Sequence, residues 1–284
     1  EAGRHVHLVL ENERNQASLL DAGFTAQWND DFHNALHVLA TGEVDGYYAD
    51  FAQEPARHLA RVLGEGFAWQ GEQTLRGARR GEPSAGQPPQ RFVVFAQNHD
   101  QIGNRAQGER LIRLVGGDLA RACVALTALT PMIPLFFMGE LWGERRPFLF
   151  FTDHAPPLDE AVREGRRREF AHFPAYADAQ ARAAIPDPNA LDTFTASCAP
   201  WPADDDTHAQ DWLQWSARLL ALRGHWLLPR IADARALGGT VLSAQAVQAG
   251  WQLPDGQWWV AFNAGREAVP VQLAGGLDLY AVNG

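Results

Sequence analysis

The chain has 284 residues, 46% of them hydrophobic, which suffices for one large domain with a core, alone or with a small appendage. Its formal net charge is −10. An acidic surface repels phosphate backbones and anionic lipid headgroups, so we expect no nucleic-acid partner and no membrane partner.

Metal and cofactor motifs are missing from the sequence. It holds neither an HExxH metal motif nor a GxGxxG dinucleotide motif. All 24 basic residues are arginine, and without lysine the phosphate-binding motif GxxxxGK[ST] cannot occur. The sequence therefore predicts no metal site and no cofactor.

The cysteines and the apolar segments bear on location. Cys123 and Cys198 are the only two cysteines, too few for a disulfide framework. The most apolar segment, residues 122–138, is shorter than the roughly 20 residues that span a bilayer. Two thiols without disulfide or metal partners suit a reducing compartment, and we expect a cytoplasmic protein. Because the chain starts at Glu1, directly before a strand, we expect it to be part of a longer polypeptide.

Four apolar, strand-like segments alternate with helical ones along the first half of the chain. The predicted strands are residues 5–10, 24–28, 91–97 and 134–138. The predicted helices are residues 16–22, 32–39, 54–64 and 108–129, the second capped by Asn29, Asp30 and Asp31. Strands that alternate with helices are typical of parallel sheets with helical crossovers.

Polar residues lie at or near the C-terminal end of each of these strands. Glu11 follows the first, residues 98–100 (Asn-His-Asp) follow the third, and Glu140 comes shortly after the fourth. A (β/α)8 TIM barrel places such residues at its catalytic mouth. We therefore predict an α/β fold that is a partial TIM barrel, followed by a small antiparallel β-domain.

The domain prediction divides the chain at residue 225. Residues 1–225 are predicted to form the C-terminal half of a catalytic barrel, with a long loop excursion at about 142–210 that is rich in proline. A helix is predicted at 211–223. Residues 226–284 are predicted to be all-β, with alternating segments at 240–247, 250–254, 257–263, 269–273 and 277–282.

The two carboxylates that end predicted strands suggest sugar chemistry. Glycoside hydrolysis needs a proton donor on the leaving oxygen and a second carboxylate across the ring. A glutamate in a semi-apolar pocket can keep its proton near neutral pH, so Glu11 is the better candidate for the acid and Asp100 for the second group. From spacing alone, a carboxylate that follows a strand is more often a solvated loop residue.

Longer motifs supply a family resemblance. Residues 95–110, FAQNHDQIGNRAQGER, resemble the region that ends the seventh barrel strand in the α-amylase superfamily (glycoside hydrolase family 13). The match is closest to the trehalohydrolases of that superfamily, with the glycogen branching enzymes next. Further matching stretches are LVLENERN, TAQWNDDFHNALHVLATGE, GYYADF, EGFAWQGE, PLFFMGE, PFLFFTDH and REGRRREF. The resemblance covers residues 5 to about 175 closely, and implies that the chain corresponds to barrel strands five to eight.

The resemblance implies roles for individual residues. Glu11 matches the general acid/base, Asp100 the carboxylate that stabilises the transition state, and His99 the histidine that binds a ring hydroxyl. The nucleophilic aspartate of the family lies in a motif like GFRxDAVH, which this chain does not contain. Asn34 and Leu141 depart from the family pattern, where a histidine and a glutamate are expected.

Other residues are predicted to bind substrate. Asn98 and Arg105 belong to the long matching motif. The remaining candidates are Trp28, Asp30, Asp31, His33, Trp69, Gln70 and Glu140. Each has a structural alternative: the aspartates could only cap the helix while the tryptophans pack, and Glu140 could pair with an arginine.

By resemblance, the function is that of a retaining α-glucan hydrolase. It would release trehalose from maltooligosyltrehalose by cutting the α-1,4 bond next to the terminal trehalosyl unit, and would depend on a maltooligosyltrehalose synthase for substrate. Two alternatives stay open: a 1,4-α-glucan branching enzyme and a non-catalytic glucan-binding protein. Because the nucleophile is missing and half a barrel exposes sheet edges, we expect the isolated chain to be inactive.

Overall fold

The computed structural model describes residues 3–4, 6–75, 77–171 and 173–271. These residues form two compact units. The first unit takes its residues from 1–96, 117–135 and 215–284, and the second from 97–116 and 136–214. The predicted strand at 277–282 and the end of the one at 269–273 lie outside the described residues.

A four-stranded parallel sheet forms the centre of the first unit. Its strands are β1 (Val9–Leu10), β2 (Ala26–Trp28), β3 (Phe92–Val94) and β4 (Ile133–Pro134). They are hydrogen-bonded in chain order, and every neighbouring pair is parallel. All four lie at or next to predicted strands but are shorter. The parallel topology places the residues that follow each strand at one edge of the sheet.

Ten α-helices accompany the strands among the described residues. Those that follow the first three strands are α1 (Ala17–Asp21), α2 (Asp30–Thr41), α3 (Pro55–Glu65), α4 (His99–Gly103), α5 (Leu111–Val115) and α6 (Gly117–Leu129). The helix predicted at 108–129 is interrupted at Gly116, whose φ of 83° ends α5. Positive φ is readily adopted only by glycine, so the chain turns there before α6 begins.

The core of the first unit lies between the sheet and helices α2 and α3. Its fully buried side chains include Phe32, Leu36, Leu59, Leu63, Phe67 and Phe92. The rings of Phe67 and Phe92 meet edge to face with centroids 5.0 Å apart, a favoured aromatic geometry. This packing fixes the start of α2 and the loop after α3, where several predicted site residues lie.

The side chain of Arg223, in the same unit, holds the backbone that leads into β4. It is 5% exposed, and its guanidinium donates to the carbonyl oxygens of Ala128, Thr130 and Met132 at 2.6–2.7 Å. Burial lowers the pKa of Arg223 to about 10. Ala128 lies in the last turn of α6, whose final carbonyls lack helical partners, and Thr130 and Met132 lie between α6 and β4. Arg223 therefore holds the connection between this helix and the strand.

A separate antiparallel sheet lies in the same unit. Its strands are β5 (Arg235–Ser243), β6 (Ala246–Leu253) and β7 (Gly256–Asn263). The segment predicted as one strand at 240–247 contains the β5–β6 turn, and β5 begins earlier than predicted. A Cβ on Gly239 would meet the carbonyl oxygen of Ala60 in α3, and one on Gly64 would lie 2.5 Å from the Gly239 nitrogen. Gly64 and Gly239 therefore allow β5 to approach α3 closely.

The second unit contains most of the predicted excursion, which is not irregular. Its helices are α7 (Leu158–Phe170), α8 (Ala179–Ala183) and α9 (Leu191–Ser197), and α10 (Thr207–Leu222) follows them. A small core joins Phe170, Ile185 and Ala106. Arg166 is 7% exposed, lies between the rings of Phe150 and Phe170, and donates to the Gly103 carbonyl at 2.7 Å.

The parallel sheet, its helices and the separate antiparallel sheet confirm the predicted fold class, a partial TIM barrel with a small β-domain. Among the described helices, none is both long enough and apolar enough to cross a membrane.

Candidate active site

Glu11, the predicted proton donor, directly follows β1. Its side chain is exposed, which corrects the expectation of a semi-apolar pocket. The reason is its position: β1 is an edge strand of the described sheet, and Leu8 and Val9, shortly before Glu11 in the chain, are 53% and 47% exposed. The following loop is nevertheless anchored, because the Gln27 side chain donates to the Asn12 carbonyl at 2.8 Å.

The Asn-His-Asp motif forms the N-terminus of α4 in the second unit. Asn98 is the N-cap, and its Oδ1 accepts the backbone amides of Asp100 at 2.9 Å and Gln101 at 3.4 Å. The side chain of Gln101 in turn accepts the backbone amide of Asn98 at 2.9 Å, which completes a capping box. Asn98 is only 1% exposed, so the structure favours a role in holding the motif over direct contact with a sugar.

This cap presents His99 and Asp100 to solvent side by side. Their side chains are 52% and 48% exposed, and His99 Nε2 lies 3.3 Å from Asp100 Oδ1. An imidazole and a carboxylate on adjacent positions offer both donor and acceptor atoms to the hydroxyl groups of one sugar ring. Sugar binding by these two residues remains a prediction.

Arg105 follows α4 and is more enclosed. Its side chain is 20% exposed, and its Nε donates to Glu109 Oε2 at 3.2 Å. Its carbonyl oxygen accepts a hydrogen bond of 2.9 Å from Arg166. An ion pair on one side and a buried arginine on the other hold this turn behind the motif.

Glu140 lies in a buried polar network of the second unit. It is 5% exposed, and its carboxylate accepts the Phe137 amide at 3.0 Å and Gln97 Nε2 at 3.1 Å. Burial raises the pKa of Glu140 to about 7, against the lowering effects of these two hydrogen bonds and of Arg110. Gln97 also accepts the Leu111 amide at 2.9 Å, so the network ties the segment that precedes Asn98 to the loop around Glu140.

Arg110 is the cationic member of this network. It is 1% exposed and donates to the carbonyls of Met138 and Arg146 at 2.7 and 2.6 Å. Burial lowers the pKa of Arg110, while Glu144 and Glu140 raise it. For Glu140 the structure thus favours the predicted alternative, an electrostatic partner of an arginine, over a sugar contact.

In the first unit, Trp28 and Asp30 flank the cap of α2 and are both half-buried. The cap itself is Asn29, which accepts the Phe32 amide at 3.4 Å and donates to the Gly66 carbonyl at 2.7 Å. Trp28 meets the ring of Phe95 edge to face at 5.8 Å. Both predicted contact residues retain exposed surface at the end of β2.

Asp31 is fully buried at the start of α2, with 0% exposure. Its Oδ2 accepts Asn15 Nδ2 at 2.8 Å and the amides of Ala68 and Trp69 at 2.9 and 3.0 Å, and its Oδ1 pairs with Arg80 at 2.6 Å. Buried carboxylates are stable only when paired and hydrogen-bonded in this way. The carboxylate therefore joins the loops after β1 and α3, and these contacts favour the structural alternative for Asp31.

Trp69 and Gln70 belong to the loop that Asp31 holds. Trp69 is 9% exposed, and its ring lies 5.0 Å from that of His58. The side chain of Gln70 donates through Nε2 to Glu65 Oε2 at 2.7 Å, and its Oε1 accepts the backbone amide of Ser84 at 2.9 Å. Both side chains mainly stabilise the loop.

His33 is buried two positions further along α2 than Asp31, with 1% exposure. One ring nitrogen lies 2.8 Å from the Ala96 carbonyl and the other 2.9 Å from the Tyr48 hydroxyl. Because both nitrogens have protein partners, the structure favours a packing role for His33. Its hydrogen bond holds the backbone shortly after β3.

The sequence reasoning missed the partners of these buried carboxylates. Arg110 lies within the long matching motif, and Gln97 precedes Asn98 directly, so the motif could have drawn attention to both. Asn15 and Arg80 carry no such signal, because the pairing of Arg80 with Asp31 spans 49 positions. Among the described residues, no group of three or more His, Cys, Asp or Glu side chains could hold a metal ion.

Comparison with known proteins places this geometry in context, although no family model matches the chain. A solved structure of a provisionally named α-amylase from Salmonella typhimurium matches 96% of the chain with a TM-score of 0.86 and 44% identity; the match spans 47% of that protein. The chain therefore has the fold of part of an α-amylase-like protein, a partial TIM barrel with a small antiparallel sheet.

Curated relatives narrow the similarity. Malto-oligosyltrehalose trehalohydrolase from Arthrobacter ramosus is 39% identical over 244 residues, which are 83% of this chain and 41% of that protein. The enzyme of the same name from Rhizobium sp. (strain M-11) is 43% identical over 212 residues, 71% of this chain and 34% of that protein. The resemblance to the trehalohydrolases is confirmed, and the chain spans about two fifths of the length of these relatives.

Proposed function

We propose that this chain is the C-terminal portion of a retaining α-glucan hydrolase that releases trehalose from maltooligosyltrehalose. The reaction would cut the α-1,4 bond next to the terminal trehalosyl unit. The observation that carries the proposal is the Asn-His-Asp motif: it presents His99 and Asp100, each about half exposed, within a sequence similar to trehalohydrolases.

Three carboxylates share the chemistry in this proposal. Glu11 protonates the leaving oxygen and later activates water, as the acid/base of a retaining glycosidase does. Asp100 binds ring hydroxyls and stabilises positive charge that develops on the sugar, and His99 binds a neighbouring hydroxyl. The nucleophilic aspartate lies outside this chain, so the isolated chain is inactive.

The buried groups act indirectly in this proposal. Asn98 fixes the backbone that presents the motif, and Gln97 links that backbone to Glu140. Asp31 fixes the loops near Trp28 and Asp30, which bind sugar at the end of β2. Rigid support of this kind matters because small displacements of catalytic groups reduce rates strongly.

The wider setting follows from the same proposal. Residues 1–225 belong to the catalytic barrel and 226–284 to an all-β domain. The enzyme would be cytoplasmic and would receive its substrate from a maltooligosyltrehalose synthase.

The test measures trehalose release from maltooligosyltrehalose by the full-length polypeptide that contains this chain. We expect Glu11→Gln to lower kcat by at least about a thousandfold, because general acid catalysis and nucleophile turnover both need the carboxyl group. The control is Glu13→Gln, an exposed neighbour, which should retain the activity. Full activity of Glu11→Gln would remove Glu11 from the mechanism. Formation of α-1,6 branches from amylose, in place of trehalose, would identify a branching enzyme.

A further inference from the structure

The second unit carries a cavity of about 400 Å³ lined entirely by residues between 142 and 209. We call it the Trp142–Trp201 pocket, after the two indoles in its wall. Its volume falls within the roughly 300–1,000 Å³ of small-molecule sites. Asn98, His99 and Asp100 are not among its lining residues, and no role predicted above uses it.

The aromatic surface of this pocket is unusually accessible. Trp201 is 82% exposed, although an indole is among the largest apolar side chains. Its ring centroid lies 5.0 Å from that of Trp142, and the two planes are inclined by 33°. Together they form a short, bent aromatic strip. The apolar C–H face of a sugar ring packs well against such a surface, while its hydroxyl groups remain free for polar partners.

The charged groups around the strip are balanced in sign. Arg145 and Arg146 are exposed, and among the described residues neither guanidinium has a hydrogen-bond partner. Glu144 and Asp206 also line the pocket and carry the opposite charge. Two cations beside two anions suit a neutral ligand with many hydroxyl groups, which uses both donors and acceptors, better than they suit a phosphate or an anionic glycan.

The wall that carries the arginines is fixed in advance. Glu144 Oε1 accepts the backbone amides of Arg145 and Arg146, both at 2.8 Å. His208 bonds the Gly143 carbonyl at 3.1 Å, and a Cβ on Gly143 would meet the Trp212 ring at 2.8 Å. A site that is ordered before binding loses less conformational entropy when the ligand arrives.

We propose that the Trp142–Trp201 pocket binds a neutral α-1,4-glucan chain. An α-1,4-linked chain of glucose is curved and can follow two inclined indole planes, whereas a β-1,4-linked chain is straight. The choice of glucose as the sugar rests on the proposed function. The neutral, hydroxyl-rich character of the ligand rests on the pocket alone.

The experiment is calorimetric titration of the full-length polypeptide that contains this chain, in the Glu11→Gln form, with maltoheptaose, cellohexaose and inorganic phosphate as separate probes. We expect maltoheptaose to bind, and Trp201→Ala to raise its Kd at least about tenfold, equivalent to about 1.4 kcal/mol. Trp201→Phe should retain part of the affinity. The control is Leu191→Ala, which removes a 76% exposed apolar side chain of the same unit away from the pocket and should leave the Kd unchanged.

Three results would overturn the proposal: no binding of maltoheptaose, an equal Kd for Trp201→Ala and the parent, or binding of phosphate or cellohexaose that depends on Trp201 and is as tight as that of maltoheptaose. Circular dichroism confirms that each variant is folded. The outcome is separable from that of the proposed function. If glucan binding depends on Trp201 but the full-length enzyme releases no trehalose, the pocket proposal holds and the proposed hydrolase function is refuted. If trehalose is released but glucan binding does not depend on Trp201, the proposed function holds and the pocket proposal is refuted.

Discussion

The buried carboxyl group of Glu140 should make the stability of the protein depend on pH in a defined direction. Its pKa is raised from 4.5 to about 7 because burial disfavours the charged form. Between these values the folded protein therefore holds a proton that the unfolded chain has released. The free energy of unfolding must then fall as pH rises through this range, and level off above about pH 7.

The magnitude follows from the shift. A change of about 2.5 pKa units corresponds to about 3 kcal/mol, of which about 2.5 kcal/mol is lost between about pH 5 and about pH 8. Glu140→Gln removes the titrating group while keeping its size, so the variant should lack this part of the decline. Gln97 and Phe137 both donate to the carboxylate, so an amide in its place weakens one of these two hydrogen bonds. This shifts the variant's free energy of unfolding by the same amount at every pH and leaves its slope against pH unchanged.

The assay is urea unfolding at a series of pH values, followed by circular dichroism. The quantity of interest is the difference between the curves of the parent and of Glu140→Gln, since other groups titrate in both. Glu140→Asp retains a buried carboxyl group, one methylene closer to the backbone, and should keep most of the decline. Parallel curves for the parent and Glu140→Gln would refute the reasoning.

Two further substitutions test the packing described above. Gly239→Ala should lower the free energy of unfolding by about 1–3 kcal/mol, because its Cβ would meet α3. The control, Gly256→Ala, has open space around its Cβ and should change this free energy by under about 0.5 kcal/mol. Equal effects of the two substitutions in thermal unfolding would contradict the close approach. Asp31→Asn should destabilise by about 3–5 kcal/mol, because it leaves Arg80 without its buried partner. Asp30→Asn, at the same helix start, should stay within about 1 kcal/mol in urea unfolding, and a mild effect of Asp31→Asn would show that these contacts contribute little.

Much of the architecture could be predicted because alternating apolar segments and helix caps are local signals. Asn29 shows why: its cap of α2 depends on residues within one turn. The helices between residues 158 and 197 were not predicted, since prolines and charged residues obscure their periodicity. The helix α7, for example, buries Arg166 in place of an aliphatic residue.

The candidate site was predicted less completely, for a physical reason. Asp31 and His33 look like sugar-binding residues in sequence, because a carboxylate and an imidazole near a tryptophan suit hydroxyl groups. Whether such a side chain faces a ligand or the interior depends on distant partners such as Arg80 and Ala96, which no local pattern reveals. By contrast, the capping box around Asn98 depends on residues within one turn, and it leaves His99 and Asp100 about half exposed.

The contact between α3 and β5 limits how this protein can be recombined with its relatives. Gly64 and Gly239 bring the backbones of α3 and β5 together without side chains between them. The helix can therefore pack only against a strand that has a small residue at the contact, and the same holds for the strand. A chimera that takes its antiparallel sheet from one homologue and its barrel helix from another would work only if both glycines, or a matched replacement for both, came together. We expect the helix and the sheet to have been inherited as a pair, although about 170 positions of sequence separate them.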